Sequence, residues 1–335
     1  YKSRDFNTST ITKRIVSSEV AQIFDPLGFL APVIVQGKIL LQDLWKLKVN
    51  WDDPLPADYQ ARWRTFREEL TALNRITVPR WLRISPRASN IQIHGFADAS
   101  NVAMSAVVYI RTETFNEQKS TVMVAAKTKV APIKRMTIPR LELTAALLLT
   151  QLVATSLQML KLNSEQIEIH LWSDSSVALA WIRSQAHRWK DFVHNRVIKI
   201  QETIPQAIWR HVSGKENPAD CASRGISTSK LADHQLWWAG PAWINQDPAE
   251  WPQSTIDTAA MTIPEVAKEA KPLPANPVTM KINEITQILN RYSTMSKLLA
   301  VTATINRAID RFQREPTPPG PILTTRELND ARLFW

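Results

Sequence analysis

The pattern of apolar and polar positions changes character along the first third of the chain. Residues 1–88 have helical periodicity over residues 16–24, 39–45 and 59–73, separated by turn-forming sequences at residues 25–28 and 52–54. Residues 91–97, 103–110 and 121–126 alternate or run continuously in β-forming residues, with a polar turn at residues 113–120. The pattern predicts a compact helical segment followed by three antiparallel strands.

Helical and strand-like periods then alternate as far as residue 223. Pro139 stands where a first-turn proline belongs, and a mostly apolar helix, expected to be largely buried, continues to about residue 160. The later segments are a strand at 166–172, helices at 175–182 and 191–202, a strand at 207–212 and a helix at 218–223. The order β-β-β-α-β-α-α-β-α predicts an α/β protein with a mixed five-stranded sheet flanked by helices.

Beyond the sheet region the chain is again mainly helical. Residues 231–275 hold a Trp-rich stretch and then a Pro- and Ala-containing stretch, and we expect a linker there. Residues 282–312 have helical period, and Thr324 and Glu327 have the spacing of a capping box that opens a last helix. The predicted fold class therefore has mainly helical N- and C-terminal flanking segments.

Charge and cysteine content narrow the functional class. The net charge of +10 favours a polyanionic partner, and residues 91–230 carry 17 Lys and Arg against 11 Asp and Glu. The one cysteine, Cys221, excludes an intrachain disulfide and a Cys-rich zinc site, and a lone Cys is more often a packed residue than a nucleophile.

No window approaches the about 18 uncharged apolar residues of a membrane span, so we expect a soluble protein with no membrane partner. The chain starts at Tyr1 without a secretory leader, and we expect it to be a piece of a longer protein.

Four carboxylates occupy strand ends or helix starts in this predicted order. Asp98 ends the first strand, Glu142 lies near the start of the long helix, Asp174 follows the next strand, and Asp220 opens the last helix. Strand ends beside helix starts are where open α/β sheets place their sites. Phosphodiester hydrolysis needs an activated water and a stabilised leaving oxygen, which two Mg²⁺ ions about 3.5–4 Å apart can supply when carboxylates hold them.

Each of these positions also has an ordinary structural interpretation. Asp174 or Asp220 taken alone is more often a helix cap or turn residue, and Glu142 in a first helical turn is explained by the helix dipole. Only the four together, in this order, favour a metal site.

The motifs around these residues resemble those of the retrotransposon ribonuclease H family. They are FADAS at residues 96–100, LELTAA at 141–146, SDS at 173–175 and HVSGKENPADCASRG at 211–225, of which the last is most similar to BEL/Pao elements. The resemblance implies that Asp98, Glu142, Asp174 and Asp220 bind two Mg²⁺ ions, or Mn²⁺, and that His211 helps the product to depart. It also implies a nuclease that cuts the RNA strand of RNA–DNA hybrids. Taken alone, His211 has an ordinary explanation, because an exposed His at a strand end is common.

The resemblance extends to the flanks. Residues 12–32 look like the segment after a polymerase palm, and residues from 291 onward look like the lead-in to an integrase zinc domain. The implied organisation is a thumb- or connection-like segment at 1–88, a ribonuclease H domain at 89–230, a linker at 231–275 and a truncated integrase lead-in at 276–335. Its partners would be the polymerase and integrase domains of a Pol polyprotein, inside the cell, in cytoplasmic virus-like particles and also in the nucleus.

Basic residues near the second site helix are the candidates for holding the nucleic acid, because the extra basic helix of cellular ribonucleases H is missing. These candidates, with one amide, are Arg183, Arg188, Lys190, Arg196 and Asn217. Trp181 and Trp189 lie among them and could stack on bases, but a Trp at helical spacing is more often a core residue.

Other functions remain open from sequence. A decayed or domesticated copy would bind nucleic acid without cutting it, and residues 1–88 and 231–335 could be structural spacers of a polyprotein. A proofreading exonuclease needs Asp-x-Glu in the first strand, whereas Ala99 and Ser100 follow Asp98. An integrase core places its Glu last, whereas Glu142 is the second of the four.

Overall fold

The structure is a computed structural model that describes residues 10–84, 88–114, 119–253, 263–271, 292, 294–313, 317–318, 320 and 322–334. The chain divides into two compact units, Tyr1–Lys271 and Pro272–Trp335. The boundary predicted at residue 88 therefore lies inside the first unit.

A mixed five-stranded sheet organises the first unit. Its strands are β1 (Ala88–Ala99), β2 (Ala103–Thr114), β3 (Lys119–Val130), β4 (Glu168–Ser173) and β5 (Ile208–His211). They lie in the order β3-β2-β1-β4-β5. The β1–β2 and β2–β3 pairs are antiparallel, and the β1–β4 and β4–β5 pairs are parallel. The predicted sheet is confirmed, with the first three strands longer than the sequence indicated.

Helices and short 3₁₀ turns surround this sheet. The helices of the first unit are α1 (Lys13–Gln22), α2 (Ala31–Lys46), α3 (Ala57–Glu69), α4 (Ile138–Leu160), α5 (Ser176–Arg183), α6 (Asp191–Thr203), α7 (Asp220–Arg224), α8 (Thr228–Ala232), α9 (Gln235–Ala239) and α10 (Pro264–Lys268). The 3₁₀ turns are Leu70–Arg75, Ser164–Gln166, Ala186–Arg188, Gly214–Glu216, Ala242–Asn245 and Pro248–Glu250. The predicted order β-β-β-α-β-α-α-β-α is confirmed.

One face of the sheet is covered by α4, α5 and α6. Pro139 lies in the first turn of α4, whose Leu- and Ala-rich sequence suits a helix, and the helix ends at Lys161 in the left-handed conformation, φ +54°. Leu149 and Val153 of α4 are fully buried in the same cluster as Ile93 of β1. This packing fixes the start of α4 beside the end of β1 and the start of its antiparallel neighbour β2.

The same helix is long and apolar enough to cross a membrane by length and composition. The expectation that no such window exists is therefore wrong: residues 143–160 contain no charged side chain. Half of the helix window is buried inside the protein, where α4 contacts β1, β2 and α6. Its apolar composition accordingly serves the core of the sheet.

The opposite face of the sheet is covered by α2, from the N-terminal part of the first unit, and by tryptophans of residues 237–251, from its C-terminal part. Val33 and Leu44 of α2 share a buried cluster with Phe96 and Trp172 of the sheet. The side chains of Trp237, Trp243 and Trp251 are 0%, 7% and 2% exposed in that cluster. Because these tryptophans belong to the core, the prediction that residues 231–275 form a linker is wrong for the described residues 231–253.

A tight turn fastens the N-terminal helices to the edge strand β3. The carboxylate of Asp25 accepts hydrogen bonds from the backbone N–H groups of Phe29 and Leu30, both at 2.9 Å. The N–H of Ala126 donates to the carbonyl of Leu27 at 2.7 Å. The turn predicted at residues 25–28 is confirmed, and it connects the region before residue 88 to the sheet.

The second unit contains α11 (Met295–Phe312) and α12 (Thr325–Phe334). The predicted capping box is confirmed, because the Thr324 N–H and hydroxyl each donate to Glu327 at 2.7 Å, and the Glu327 N–H donates to the Thr324 hydroxyl. Arg307 of α11 pairs with Glu327 at 2.6 Å, which connects the two helices. The part of the predicted helix at 282–291 lies outside the described residues.

A substitution at Gly28 tests how much the contact between the turn at residues 25–28 and β3 contributes to the free energy of unfolding. Its φ is +75°, and a Cβ atom there would lie 1.9 Å from the carbonyl oxygen of Ala126. We expect Gly28→Ala to lower the free energy of unfolding by more than about 3 kcal/mol, because both strain and a backbone clash result. Pro26→Ala, at an exposed position of the same turn, should cost less than about 1 kcal/mol. Urea unfolding followed by Trp fluorescence measures both, and equal stabilities would contradict this reading of the turn.

Candidate metal centre

Three carboxylates from distant parts of the sequence meet at the carboxyl ends of β1 and β4. Asp98 is near the end of β1, and Asp174 directly follows β4, its parallel neighbour. Glu142 lies in the second turn of α4 rather than in the first, so the helix dipole does not account for it. One carboxylate oxygen from each residue lies within 4.8 Å of the other two.

These oxygens suit a hard divalent cation. Two oxygens on opposite sides of one Mg²⁺ ion are about 4.2 Å apart, since each bond is about 2.1 Å, so only small side-chain movements are needed. Among the described residues, Glu142 Oε2 and Asp174 Oδ1 are buried and have no hydrogen-bond partner. Buried anionic oxygens without partners are costly unless a cation binds them. The donor set and these two oxygens fit a Mg²⁺ or Mn²⁺ ion.

The pKa values of all three carboxyl groups are raised in the metal-free site. Burial raises the pKa of Glu142 to about 9, with contributions from Asp98 and Asp174, although the N–H of Ala99 donates to its carboxylate. Burial, together with Asp174 and Asp220, raises the pKa of Asp98 to about 6. Burial also raises the pKa of Asp174. At neutral pH the metal-free site therefore holds at least one proton among these groups.

Asp220 stands at the start of α7, beside this triad. It is outside the group of oxygens that lie within 4.8 Å of one another. Its charge raises the pKa values of Asp98, Glu142 and Asp174, which places it close to all three. Its own Oδ1 accepts a hydrogen bond from Arg224 Nε at 2.7 Å. The fourth carboxylate, that of Asp220, thus lies near the triad but forms an ion pair with Arg224 of the same helix.

Hydrogen bonds fasten α7 and the loop before it to the end of β1. The Ser223 hydroxyl donates to Asp98 Oδ2, which orients that carboxylate. Ser100 Oγ donates to the carbonyl of Ser223 at 2.7 Å. Asn217 Nδ2 donates to the carbonyl of Ala97 at 3.0 Å, and its Oδ1 accepts from the N–H of Ala219 at 3.1 Å. Asn217 is 1% exposed with its amide used inside the protein, so the structure contradicts the prediction that it binds nucleic acid.

His211 and the following loop border the site on the side of β5. His211 pairs in register with Ser173, and its charge lowers the pKa of Asp174. A Cβ at Gly214 would lie 3.2 Å from Asp174 Oδ2, so the loop backbone passes close to that carboxylate. The structure therefore places His211 beside Asp174.

The basic residues expected to hold nucleic acid have differing surroundings. Arg183 is exposed and donates to the carbonyl of Trp209 at 2.6 Å. Lys190 Nζ donates to the carbonyl of Lys268 at 2.7 Å, and Arg188 lies over the ring of Trp189. Arg196 lies 3.5 Å from the ring centroid of Phe192 and donates to the carbonyl of that residue. All four remain candidates, and Arg183, Lys190 and Arg196 use part of their donor capacity inside the protein.

Two interpretations of apolar side chains are settled by burial. Trp181 and Trp189 are each 1% exposed in the core, as their helical spacing favoured, and do not offer a face for stacking. Cys221 is buried, and burial raises the pKa of its thiol, so it is a packed residue rather than a nucleophile.

Sequence reasoning missed Ser223 and Arg224. Both follow Asp220 at spacings of three and four residues, which on a helix place their side chains on the same face as Asp220. That spacing was the available signal.

Comparison with known proteins gives one family match. Residues 12–175 match the family described as Pao retrotransposon-like RNaseH-like domain. A search of the curated proteins finds no match.

Among solved structures, the chain is similar to the N-terminal RNase H domain of rv2228c from Mycobacterium tuberculosis, fused to maltose-binding protein. The identity is 12%, covering 40% of this chain and 93% of that one, with a TM-score of 0.27. LC11-RNase H1 in complex with an RNA/DNA hybrid shows 15% identity over 39% of this chain and 91% of its own, with a TM-score of 0.24. The foamy viral protease-reverse transcriptase in complex with dsDNA shows 16% identity over 60% of this chain and 38% of its own, with a TM-score of 0.19.

Glu142→Gln tests how much the ionised carboxylate of Glu142 destabilises the fold when no metal is bound. Because the folded-state pKa of Glu142 is raised to about 9, its ionisation opposes folding increasingly as pH rises from about 4.5 towards 9. In EDTA at pH 8 we expect the substitution to raise Tm by roughly 3 °C or more, and the gain to vanish near pH 4. Glu165→Gln removes the same charge from an exposed position and should leave Tm unchanged. A lower Tm for Glu142→Gln at pH 8 would contradict the assigned cost.

Proposed function

We propose that the chain, whose residues 12–175 match the family described as Pao retrotransposon-like RNaseH-like domain, is a ribonuclease H that hydrolyses the RNA strand of RNA–DNA hybrids during retrotransposon reverse transcription. The observation that carries this proposal is the meeting of Asp98, Glu142 and Asp174 oxygens within 4.8 Å. Buried carboxylates so close together are costly unless they bind cations, and metal-assisted phosphodiester hydrolysis is the chemistry that uses such a group.

The proposed cofactor is a pair of Mg²⁺ ions, which Mn²⁺ could replace. When bound, two such ions activate the attacking water and stabilise the leaving 3′ oxygen. Asp98, Glu142 and Asp174 would hold one cation, and Asp220 would complete the ligand set. Ser223 keeps Asp98 in one orientation by donating to its Oδ2.

His211 would act at the border of the site rather than as a ligand. It lies next to Asp174, where a protonated imidazole would compete with a cation for that carboxylate and so weaken its hold. This arrangement supports the proposed part of His211 in product departure.

The proposed partners follow from the family and the charge. Lys and Arg outnumber Asp and Glu by ten in the whole chain, which supports binding to a nucleic-acid backbone with a strong salt dependence. We propose that the polymerase and integrase parts of a BEL/Pao Pol polyprotein are its covalent neighbours. Residues 1–88 would be the thumb- or connection-like part and 276–335 the integrase lead-in. Cytoplasmic virus-like particles, and secondarily the nucleus, are the proposed location.

A cleavage assay on the full chain tests the activity. With a short labelled hybrid and Mg²⁺ or Mn²⁺, we expect the RNA strand alone to be cut, and no cutting in EDTA. Asp98→Asn should lower the rate about 100-fold or more, because it removes the charge of a proposed metal ligand, which is worth several kcal/mol. Asp52→Asn, at the exposed pair with Arg14, is the matched control and should keep full activity.

Two results would count against a nuclease. Equal binding of the hybrid by the wild type and by Asp98→Asn, with no cutting by either protein, is the behaviour of a binding module without cleavage. Equal cutting by both proteins would instead indicate a contaminating nuclease.

Proton release on metal binding tests the ligand assignment without any substrate. Since the Glu142 pKa is raised to about 9 and that of Asp98 to about 6, cation binding must displace protons at neutral pH. We expect release of about one proton at pH 7 and less above pH 9, with metal affinity rising over that range. Calorimetry of Mn²⁺ binding in two buffers of different ionisation enthalpy measures this number. A value near zero at pH 7 would contradict Glu142 as a ligand.

A further inference from the structure

An ion pair at the edge of the metal centre joins Asp220, a proposed metal ligand, to Arg224, which has no part in the proposed chemistry. Arg224 Nε lies 2.7 Å from Asp220 Oδ1, and both residues belong to α7. The Arg224 side chain is 70% exposed and that of Asp220 is 31% exposed. An exposed pair of this kind contributes little to folding stability, so stability alone does not explain it.

The position of Arg224 sets it apart from other surface cations. Its charge lowers the pKa values of Asp98 and Asp174 as well as pairing with Asp220. It is therefore a cation within electrostatic reach of three of the four carboxylates proposed to bind metal. The triad oxygens are already gathered within 4.8 Å, whereas the Asp220 carboxylate is held by Arg224. A cation can enter the triad directly, but a cation that uses Asp220 must compete with the guanidinium.

We propose that Arg224 exchanges partners during the reaction cycle, holding Asp220 in the metal-free protein and binding a substrate phosphate once a cation has taken Asp220. The inference rests on the proposed ribonuclease function. A guanidinium can bind either a carboxylate or a phosphate through two parallel N–H bonds, so the same side chain suits both partners. Because Arg224 is mostly exposed, it can change partners without opening the core.

This role makes two predictions of opposite sign for one substitution. Arg224→Met keeps the aliphatic stem and removes the charge. Cation binding that depends on Asp220 should become tighter, because the competing guanidinium is gone. Hybrid binding in the metal-loaded protein should become weaker, because a phosphate contact is lost. A residue that only supported the fold would weaken both.

The experiment uses the full chain and measures binding rather than turnover. Mn²⁺ calorimetry without substrate should show one tighter and one weaker event for the wild type. Arg224→Met should tighten the weaker event about fivefold and change the tighter event less. Asp220→Asn should abolish the weaker event with either residue at position 224. Fluorescence anisotropy with a labelled hybrid in Ca²⁺ should show about fivefold weaker binding for Arg224→Met, and no difference from wild type in EDTA.

Two control variants sharpen the result. Arg14→Met removes an equal charge from a pair with the same 2.7 Å distance at a remote exposed site, and both readouts should keep their wild-type values. Arg224→Lys keeps the charge and should restore the wild-type Mn²⁺ affinities and part of the hybrid affinity.

The outcomes separate this inference from the function on which it rests. If the wild type binds Mn²⁺ and cuts the hybrid but Arg224→Met leaves the weaker event unchanged or weakens it, partner exchange is wrong and the nuclease proposal stands. If the wild type neither binds Mn²⁺ nor cuts the hybrid, both the partner exchange and the nuclease proposal are wrong.

Discussion

Repulsion among the carboxylates of Asp98, Glu142 and Asp174 is the constraint on which the arrangement around them depends. Asp98 and Glu142 are buried, so their charges are poorly solvated as well as close together, and the pKa values of all three are raised. Such a cluster persists only if the elements that carry it cannot move apart. The parallel pairing of β1 with β4 fixes two of the residues, and the packing of α4 on β1 fixes the third.

The N-terminal helices extend this support to the fourth carboxylate. Helix α2 packs on α7, and the N–H of Ile226, just after α7, donates to the carbonyl of Pro32 at 3.0 Å. Helix α7 in turn is bonded to β1 through Ser223 and Asp98. The region before residue 88 therefore braces the element that carries Asp220. This dependence explains why the compact unit begins well before the first strand.

Much of the fold and of the candidate site could be predicted from the sequence. The features that could not be predicted have identifiable physical reasons. The order of helices and strands along the chain followed from periodicity, and the positions of the carboxylates followed from strand ends and helix starts. The cover formed by Trp237, Trp243 and Trp251 did not, because its short helical turns have no sustained period. The apolar run at residues 107–110 held a signal for it, since a strand that is apolar on both faces needs a layer on each. Asn217 was a candidate for holding nucleic acid, and only the structure shows its amide buried against β1.

A crystal grown with Mn²⁺ shows directly whether these carboxylates form one cation site. Anomalous scattering at the manganese edge locates the ion independently of any assay of activity. We expect a peak bonded to oxygens of Asp98, Glu142 and Asp174 together. The cation site would be contradicted if manganese bound only elsewhere in the crystal. In that case the three side chains would point away from one another, or no peak would lie among them.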